Sequence, residues 1–143
     1  MQKLIKHLLE LKIWKSIAVI LTLASLGLSL TTGDPSKVPY IPHLDKAVHF
    51  FSYGFLFFAY WAGYFKDNAP RVHVYGACII ACYSGLMELL QWQMDLGRTG
   101  DFWDFIANCF GIFFVYFGIR QLNIAKPPKY FTYEAQKKSQ TRP

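Results

Sequence analysis

Acidic, basic and amide side chains recur at helical spacing in three separate stretches of this sequence. In the first stretch, Asp45 and His49 are four residues apart and fall on one helical face, with Lys46 beside them. In the second, Glu88 and Gln91 are three residues apart and share a face. A histidine beside a carboxylate can act as a general base. These residue types therefore predict proton transfer or the binding of a polar ligand.

A third polar stripe begins after Arg98. Asp101, Asp104, Asn108 and Gly111 follow an i, i+3, i+7, i+10 pattern, which places carboxylates at a helix entry and an amide deeper on the same face. Acidic residues in a first helical turn also complement the positive end of the helix dipole. The stripe therefore predicts a helix whose start carries the polar groups.

The segments that must position these stripes are strongly apolar. The chain is 53% hydrophobic and 17% charged, against about 25% charged in soluble domains. Crossing a bilayer takes roughly 20 mostly apolar residues, and four stretches approach that length: 13–31, 47–65, 72–91 and 102–122. The first has the basic start of a signal peptide but no clear Ala-x-Ala site, which favours a retained helix. We expect an all-α, antiparallel bundle of four transmembrane helices within residues 1–125.

Positive charge is distributed unevenly between the two ends of these helices. The N-terminus, the turn at 66–71 and the C-terminal segment together hold 12 of the 15 Lys and Arg residues. Because basic residues accumulate on the cytoplasmic side, both termini are predicted to lie inside, with residues 126–143 as a flexible basic tail. The net charge of +6 is then a topology signal, and no nucleic-acid partner is expected.

This topology brings the three stripes to one membrane depth, because the second helix begins outside, the third ends outside and the fourth begins outside. Polar side chains are costly against lipid, so the stripes should face one another. Helix capping and interhelical hydrogen bonds are the competing explanation. We predict catalytic roles for His49, Glu88 and Asp104. The predicted ligand-binding residues are Asp45, Lys46, Tyr53, Gln91, Arg98, Asp101 and Asn108.

The same residues resemble the VanZ-like family of bacterial membrane proteins over about residues 40–118. The matching features are Asp45-Lys46-x-x-His49-Phe50-x-x-Tyr53, Glu88-x-x-Gln91 and Arg98-x-x-Asp101-x-x-Asp104-x-x-x-Asn108-x-x-Gly111. The resemblance implies a multi-pass protein of the bacterial cell envelope, in a family named for a member associated with resistance to the glycopeptide teicoplanin. It does not imply a particular activity.

Two classes of function fit these features. The first is a protein of the cytoplasmic membrane whose polar pocket in the outer leaflet binds, or chemically modifies, an envelope lipid or a lipid-linked cell-wall intermediate. Lys46 and Arg98 would hold an anionic head group. Ser52 and Ser84 lack the context of an activated nucleophile, so catalysis and binding both stay open.

The second class is a non-catalytic subunit of a larger envelope or secretion assembly, with membrane-protein partners besides lipids. A divalent metal on the acidic residues is a third, weaker possibility, since no His-x-x-x-His or Cys-x-x-Cys pattern specifies one, and no cofactor is indicated. An ion conductor is disfavoured because the acidic groups lie at one boundary only.

Overall fold

The computed structural model describes residues 12–31, 43–94 and 101–122. These residues form helices and connecting turns and contain no strand, so the predicted all-α class is confirmed. The helices are α1 (Ile13–Leu30), α2 (Leu44–Tyr60), α3 (Pro70–Met94) and α4 (Phe102–Gln121), and a π-helical turn, Trp61–Phe65, continues α2. The predicted tail at 126–143 lies outside the described residues, as do residues 32–42 and 95–100 of the outer loops predicted at 32–46 and 92–101.

Two helices extend beyond the segments predicted from hydropathy. α2 begins at Leu44 instead of residue 47, so Asp45 and Lys46 belong to its first turn. α3 runs from Pro70 to Met94. Proline suits the first helical turn because a backbone N–H at that position would have no partner within the helix. The residues added at these helix ends are largely polar. A prediction from hydropathy alone therefore makes both helices too short.

Three of the described helices are long and apolar enough to cross a membrane. They are α1, α3 and α4. α2 has 17 residues, and its π-helical continuation adds 5. At about 1.5 Å per residue this continuous segment is roughly 30 Å long, the thickness of a hydrocarbon core.

α2 and α4 run side by side and approach each other closely through glycines. A Cβ atom on Gly111 would collide with the backbone carbonyl of Phe50, and one on Gly54 would lie 3.0 Å from the carbonyl oxygen of Gly111. Small residues of this kind let membrane helices pack backbone to backbone. Phe57 lies against Tyr116 further along the same pair, so the two helices run parallel. Their polar N-terminal turns therefore lie next to each other.

α1 contacts α2 through the ring of Trp14, which lies against Phe55 and Phe58, and contacts α2 and α3 through hydroxyl groups. Among its residues only Ala18 is buried. Ser25 Oγ lies 2.9 Å from the Tyr83 hydroxyl, which in turn donates to the carbonyl of Thr22, and Thr22 Oγ1 lies 3.0 Å from the Tyr60 hydroxyl. Ser and Thr often link helices in this way where lipid offers no hydrogen-bond partner.

Candidate functional site

The N-terminal turns of α2 and α4 meet around one ammonium group. Lys46 Nζ lies 2.8 Å from Asp45 Oδ2, 2.9 Å from Asp101 Oδ2 and 2.8 Å from Asp104 Oδ1. A lysine ammonium has three N–H donors and no acceptor, so each donor is directed at a carboxylate. Lys46 thus joins the two helices, and the geometry leaves it no donor for the anionic head group expected from the sequence.

Electrostatics at the water boundary follow from this arrangement. The ammonium of Lys46 holds the pKa of Asp101 below its usual value of 3.8, helped by the backbone N–H of Trp103, which donates to the same carboxyl group. Lys46 also donates a hydrogen bond to Asp45 and another to Asp104. The charged forms of these groups stabilise one another.

His49 lies one turn deeper on α2 and faces α4. Its Nδ1 is 3.0 Å from Asn108 Oδ1. An amide oxygen only accepts hydrogen bonds, so Nδ1 carries a proton and donates it to Asn108. In the neutral ring the lone pair then belongs to Nε2, which lies 3.7 Å from Asp104 Oδ2. This nitrogen is the atom of the site best placed to accept or release a proton.

Glu88 of α3 completes the arrangement from the third side. Its Oε1 is 3.6 Å from His49 Nδ1 and accepts a hydrogen bond from Asn108 Nδ2 at 3.4 Å. Its Oε2 accepts one from the backbone N–H of Asp101 at 3.3 Å. Asn108 is fully buried and bridges the histidine and the glutamate, so its amide orientation fixes which nitrogen of the ring is protonated.

Seven side chains are thus brought together from the three predicted stripes, and we call them the His49 cluster. Its members are Asp45, Lys46, His49, Glu88, Asp101, Asp104 and Asn108. The distances show that these side chains lie close together. Which of them are catalytic and which bind a ligand stays a prediction.

The other predicted site residues lie apart from the His49 cluster. Tyr53 is buried in the apolar core, with its ring 6.4 Å from that of Tyr83. Gln91 is half-buried on α3 and makes no hydrogen bond or ion pair with the cluster residues that the structure describes. Arg98 lies outside the described residues. Ser84 is buried and donates to the Ala81 carbonyl, as expected of a serine within a helix.

A second group of buried polar atoms was not singled out from the sequence. His73, 1% exposed, bonds through Nε2 to the carbonyl of Phe65 at 2.8 Å and so closes the π-helical end of α2. Its Nδ1 and the Nε1 of Trp61 are buried without a hydrogen-bond partner. Neither residue belongs to a polar stripe, so periodicity gave no indication of them.

The described residues contain no group of three or more His, Cys, Asp or Glu side chains placed to hold a metal ion. At the centre of the three aspartates lies the ammonium of Lys46. Of the residues considered as metal ligands from the sequence, Asp45, Asp101 and Asp104 are thus arranged around an internal cation, while Glu88 contacts His49 and Asn108.

In the residues that the structure describes, these features define a helical protein with three helices long and apolar enough to cross a membrane, and with a polar cluster shared by α2, α3 and α4. The chain matches the VanZ/LLP1 family over residues 2–123 and belongs to that family. This match confirms the resemblance drawn from the three motifs and extends it over α1. No curated protein and no solved structure matches the chain.

Proposed function

We propose that this protein is a four-span protein of the bacterial cytoplasmic membrane that binds the head group of an envelope lipid, or of a lipid-linked cell-wall intermediate, at the His49 cluster. Both termini would lie inside and the cluster in the outer leaflet. Support for the position comes from the exposed aromatic side chains at the same end of the bundle, Trp92, Phe102 and Trp103. Such aromatics are typical of membrane–water interfaces.

One observation carries the proposal. His49 of α2 lies within 4 Å of carboxylates from two other helices, Glu88 at 3.6 Å and Asp104 at 3.7 Å. Ionisable groups are expensive at membrane depth and usually mark a ligand or ion pathway there. One ion pair would be enough to link two helices. Here four carboxyl groups surround two basic residues, Lys46 and His49.

The charge balance favours certain head groups. The cluster holds more carboxyl groups than cations, and the donors of Lys46 are already directed at three of them. A bare phosphate would meet repulsion here. Carboxylates are acceptors, so hydroxyl groups of a sugar or glycerol, or an ammonium group, complement the cluster better.

Chemistry at the bound head group would centre on Nε2 of His49. Asn108 Oδ1 accepts from Nδ1, so in the neutral form of the ring Nε2 carries the lone pair, 3.7 Å from Asp104 Oδ2. Such a base can take a proton from a hydroxyl group of the ligand. The described residues provide no activated nucleophile, so the proposal is binding, with proton transfer as the reaction that the site could assist.

The test is retention of lipid by detergent-purified protein, measured by native mass spectrometry. We expect the wild-type chain to carry a lipid adduct. In His49→Gln, Glu88→Gln and Asp104→Asn the adduct should fall about tenfold, because each change removes an ionisable hydrogen-bonding group. Asp67→Asn makes the same kind of change at the exposed turn between α2 and α3, at the opposite end of the bundle, and should leave the adduct unchanged.

Equal lipid retention in all folded variants would contradict head-group binding at the His49 cluster. The role of an accessory subunit would then gain support if deletion of residues 126–143 alone released membrane-protein partners from the purified complex.

A further inference from the structure

Two buried ring nitrogens at the end of the bundle opposite the His49 cluster have no hydrogen-bond partner among the residues that the structure describes. They are Nε1 of Trp61, in the π-helical turn that continues α2, and Nδ1 of His73 on α3. Trp61 is fully buried and His73 is 1% exposed. The large majority of buried polar side-chain atoms in proteins have a partner, so two orphans on neighbouring rings require an explanation.

The hydrogen bond at the other nitrogen of His73 determines what Nδ1 can do. Nε2 lies 2.8 Å from the backbone carbonyl oxygen of Phe65. A carbonyl oxygen only accepts hydrogen bonds, so Nε2 carries a proton and donates it. Burying an unpaired charge is costly, which favours the neutral ring at this site. In the neutral ring the lone pair belongs to Nδ1, and this nitrogen is therefore an acceptor.

Trp61 supplies the complementary donor. The indole Nε1–H donates and cannot accept. The rings of Trp61 and His73 lie edge to face, with centroids 6.3 Å apart and planes at 89° to each other, but their nitrogens do not bond directly. A donor and an acceptor on neighbouring rings complement a molecule that accepts one hydrogen bond and donates another. A hydroxyl group does both.

Burial restricts the size of that molecule. Trp61 belongs to the same apolar core as Phe57 and Ala62, and neither it nor His73 is accessible from outside the bundle. A ligand larger than water would require the helices to separate. Two hydrogen bonds of about 2.9 Å let one water join nitrogens up to about 5.8 Å apart. Buried waters commonly satisfy polar groups that the chain itself leaves without a partner.

We propose that one water molecule is buried between the π-helical turn and α3, where it accepts a hydrogen bond from Trp61 Nε1 and donates one to His73 Nδ1. His73 then bonds both ends of the turn, Phe65 directly and Trp61 through the water. This makes His73 the residue that fastens the π-helical turn to α3. The inference is independent of head-group binding, because the water site and the His49 cluster lie at opposite ends of α2.

NMR of isotope-labelled full-length protein in detergent tests for this water. We expect cross-relaxation with water at the indole N–H of Trp61 and at the imidazole C–H between the two nitrogens of His73. The peaks should have opposite signs in NOESY and ROESY spectra, which distinguishes a bound water from proton exchange. The indole N–H of Trp92 is the internal control. Its side chain is 72% exposed, so it should show exchange with bulk water instead.

Removing the donor should release the water. In Trp61→Phe the water peak at His73 should weaken about tenfold, because one of the two hydrogen bonds that hold the water is lost. Trp92→Phe makes the same change at an exposed position and should leave that peak unchanged. The chain has four tryptophans, so a variant with Trp14, Trp92 and Trp103 changed to Phe retains Trp61 alone. This variant assigns the Trp61 signal even if Trp61→Phe does not fold.

Several results would overturn the proposal. One is a water peak at neither ring, or at only one of them, in the folded wild-type protein. Another is scalar coupling between Trp61 Nε1 and His73 Nδ1, which would show that the two nitrogens bond directly. Protonation of both His73 nitrogens at neutral pH would also contradict it, because Nδ1 would then be a donor. An undiminished water peak at His73 in Trp61→Phe would show that the indole does not hold the water.

Discussion

Lys46 is the residue on which the charge balance of the His49 cluster depends. It lies within 2.9 Å of carboxylates from the start of α2, from the residue preceding α4 and from the first turn of α4. Without the ammonium these carboxylates would repel one another across the gap between two helices. A ligand that brings a cation or hydroxyl donors would relieve part of the same repulsion, so structure and binding are linked at this residue.

Removing the ammonium should therefore destabilise the protein in a pH-dependent way. Lys46→Gln is expected to lower Tm by roughly 2–6 °C at pH 7, measured by thermal unfolding in detergent. The lowered pKa of Asp101 contributes stability above its usual value of 3.8, and this contribution is lost as the pH falls through the folded-state value. The deficit of the variant should thus be present above pH 3.8 and shrink below it.

Lys12→Gln provides the matched control for this measurement. It removes the same charge just before α1, at the end of the bundle opposite the His49 cluster, and should leave the pH profile of Tm unchanged. A deficit in Lys46→Gln that persists undiminished at pH 3 would show that its role is packing of the aliphatic stem.

At the scale of the helices, the close approach of α2 and α4 sets the geometry of the site. Gly54 and Gly111 bring the two backbones together just below the His49 cluster. This approach allows His49 Nδ1 to reach Asn108 at 3.0 Å across the interface. An added methyl group there would act on the site through the distance between the helices, without touching a cluster residue.

Gly111→Ala should separate the helices, because the new Cβ would collide with the backbone carbonyl of Phe50. We expect a loss of roughly 1–3 kcal/mol in unfolding free energy, together with weaker lipid retention, measured by thermal unfolding and native mass spectrometry. Gly118→Ala lies two turns further along the same helix with nothing within 4 Å of its Cβ, and should be neutral or slightly stabilising. Equal Tm values for the two variants would contradict a tight crossing at Gly111.

At the scale of the whole molecule, the direction of the bundle in the membrane decides which leaflet supplies the ligand. The structure places the start of α2, the end of α3 and the start of α4 at one end of the bundle, since Lys46, Glu88 and Asp101 meet there. The basic residues at 12–15 and 66–71 lie at the other end. Four spans with the cluster outside follow from this arrangement only if α2, with its π-helical turn, also crosses the membrane.

Labelling of single cysteines tests that topology. In a variant with Cys78, Cys82 and Cys109 changed to Ala, the proposed topology predicts that Gln93→Cys, at the end of α3, reacts with a membrane-impermeant maleimide in intact spheroplasts. It predicts that Lys12→Cys and Asn68→Cys react only after permeabilisation, since the proposed spans α1 and α2 would return the chain to the inside. Reaction of Lys12→Cys and Asn68→Cys from opposite sides would mean that only one of α1 and α2 crosses the membrane.

The helices and the polar stripes could be predicted because they depend on local properties of the chain. Apolar runs of membrane length and the spacing of Asp101, Asp104 and Asn108 are visible without any tertiary contact. Hydropathy began the second span at residue 47 because Asp45 and Lys46 are polar, although the spacing of Asp45 and His49 already placed Asp45 on the helix. The burial of His73 and Trp61 was also missed, since it results from packing at the π-helical turn.

The sequence by itself determined the all-α class, the apolar helices, the asymmetry of charge and the residue types that gather at one end, because periodicity and hydropathy are properties of neighbouring residues. Only the tertiary structure decided that the donors of Lys46 are directed at three carboxylates and that Asn108 orients His49. It alone decided that Tyr53 lines a groove beside α1. These contacts join residues far apart in the chain, and their distances depend on how closely the helix backbones approach at Gly54 and Gly111.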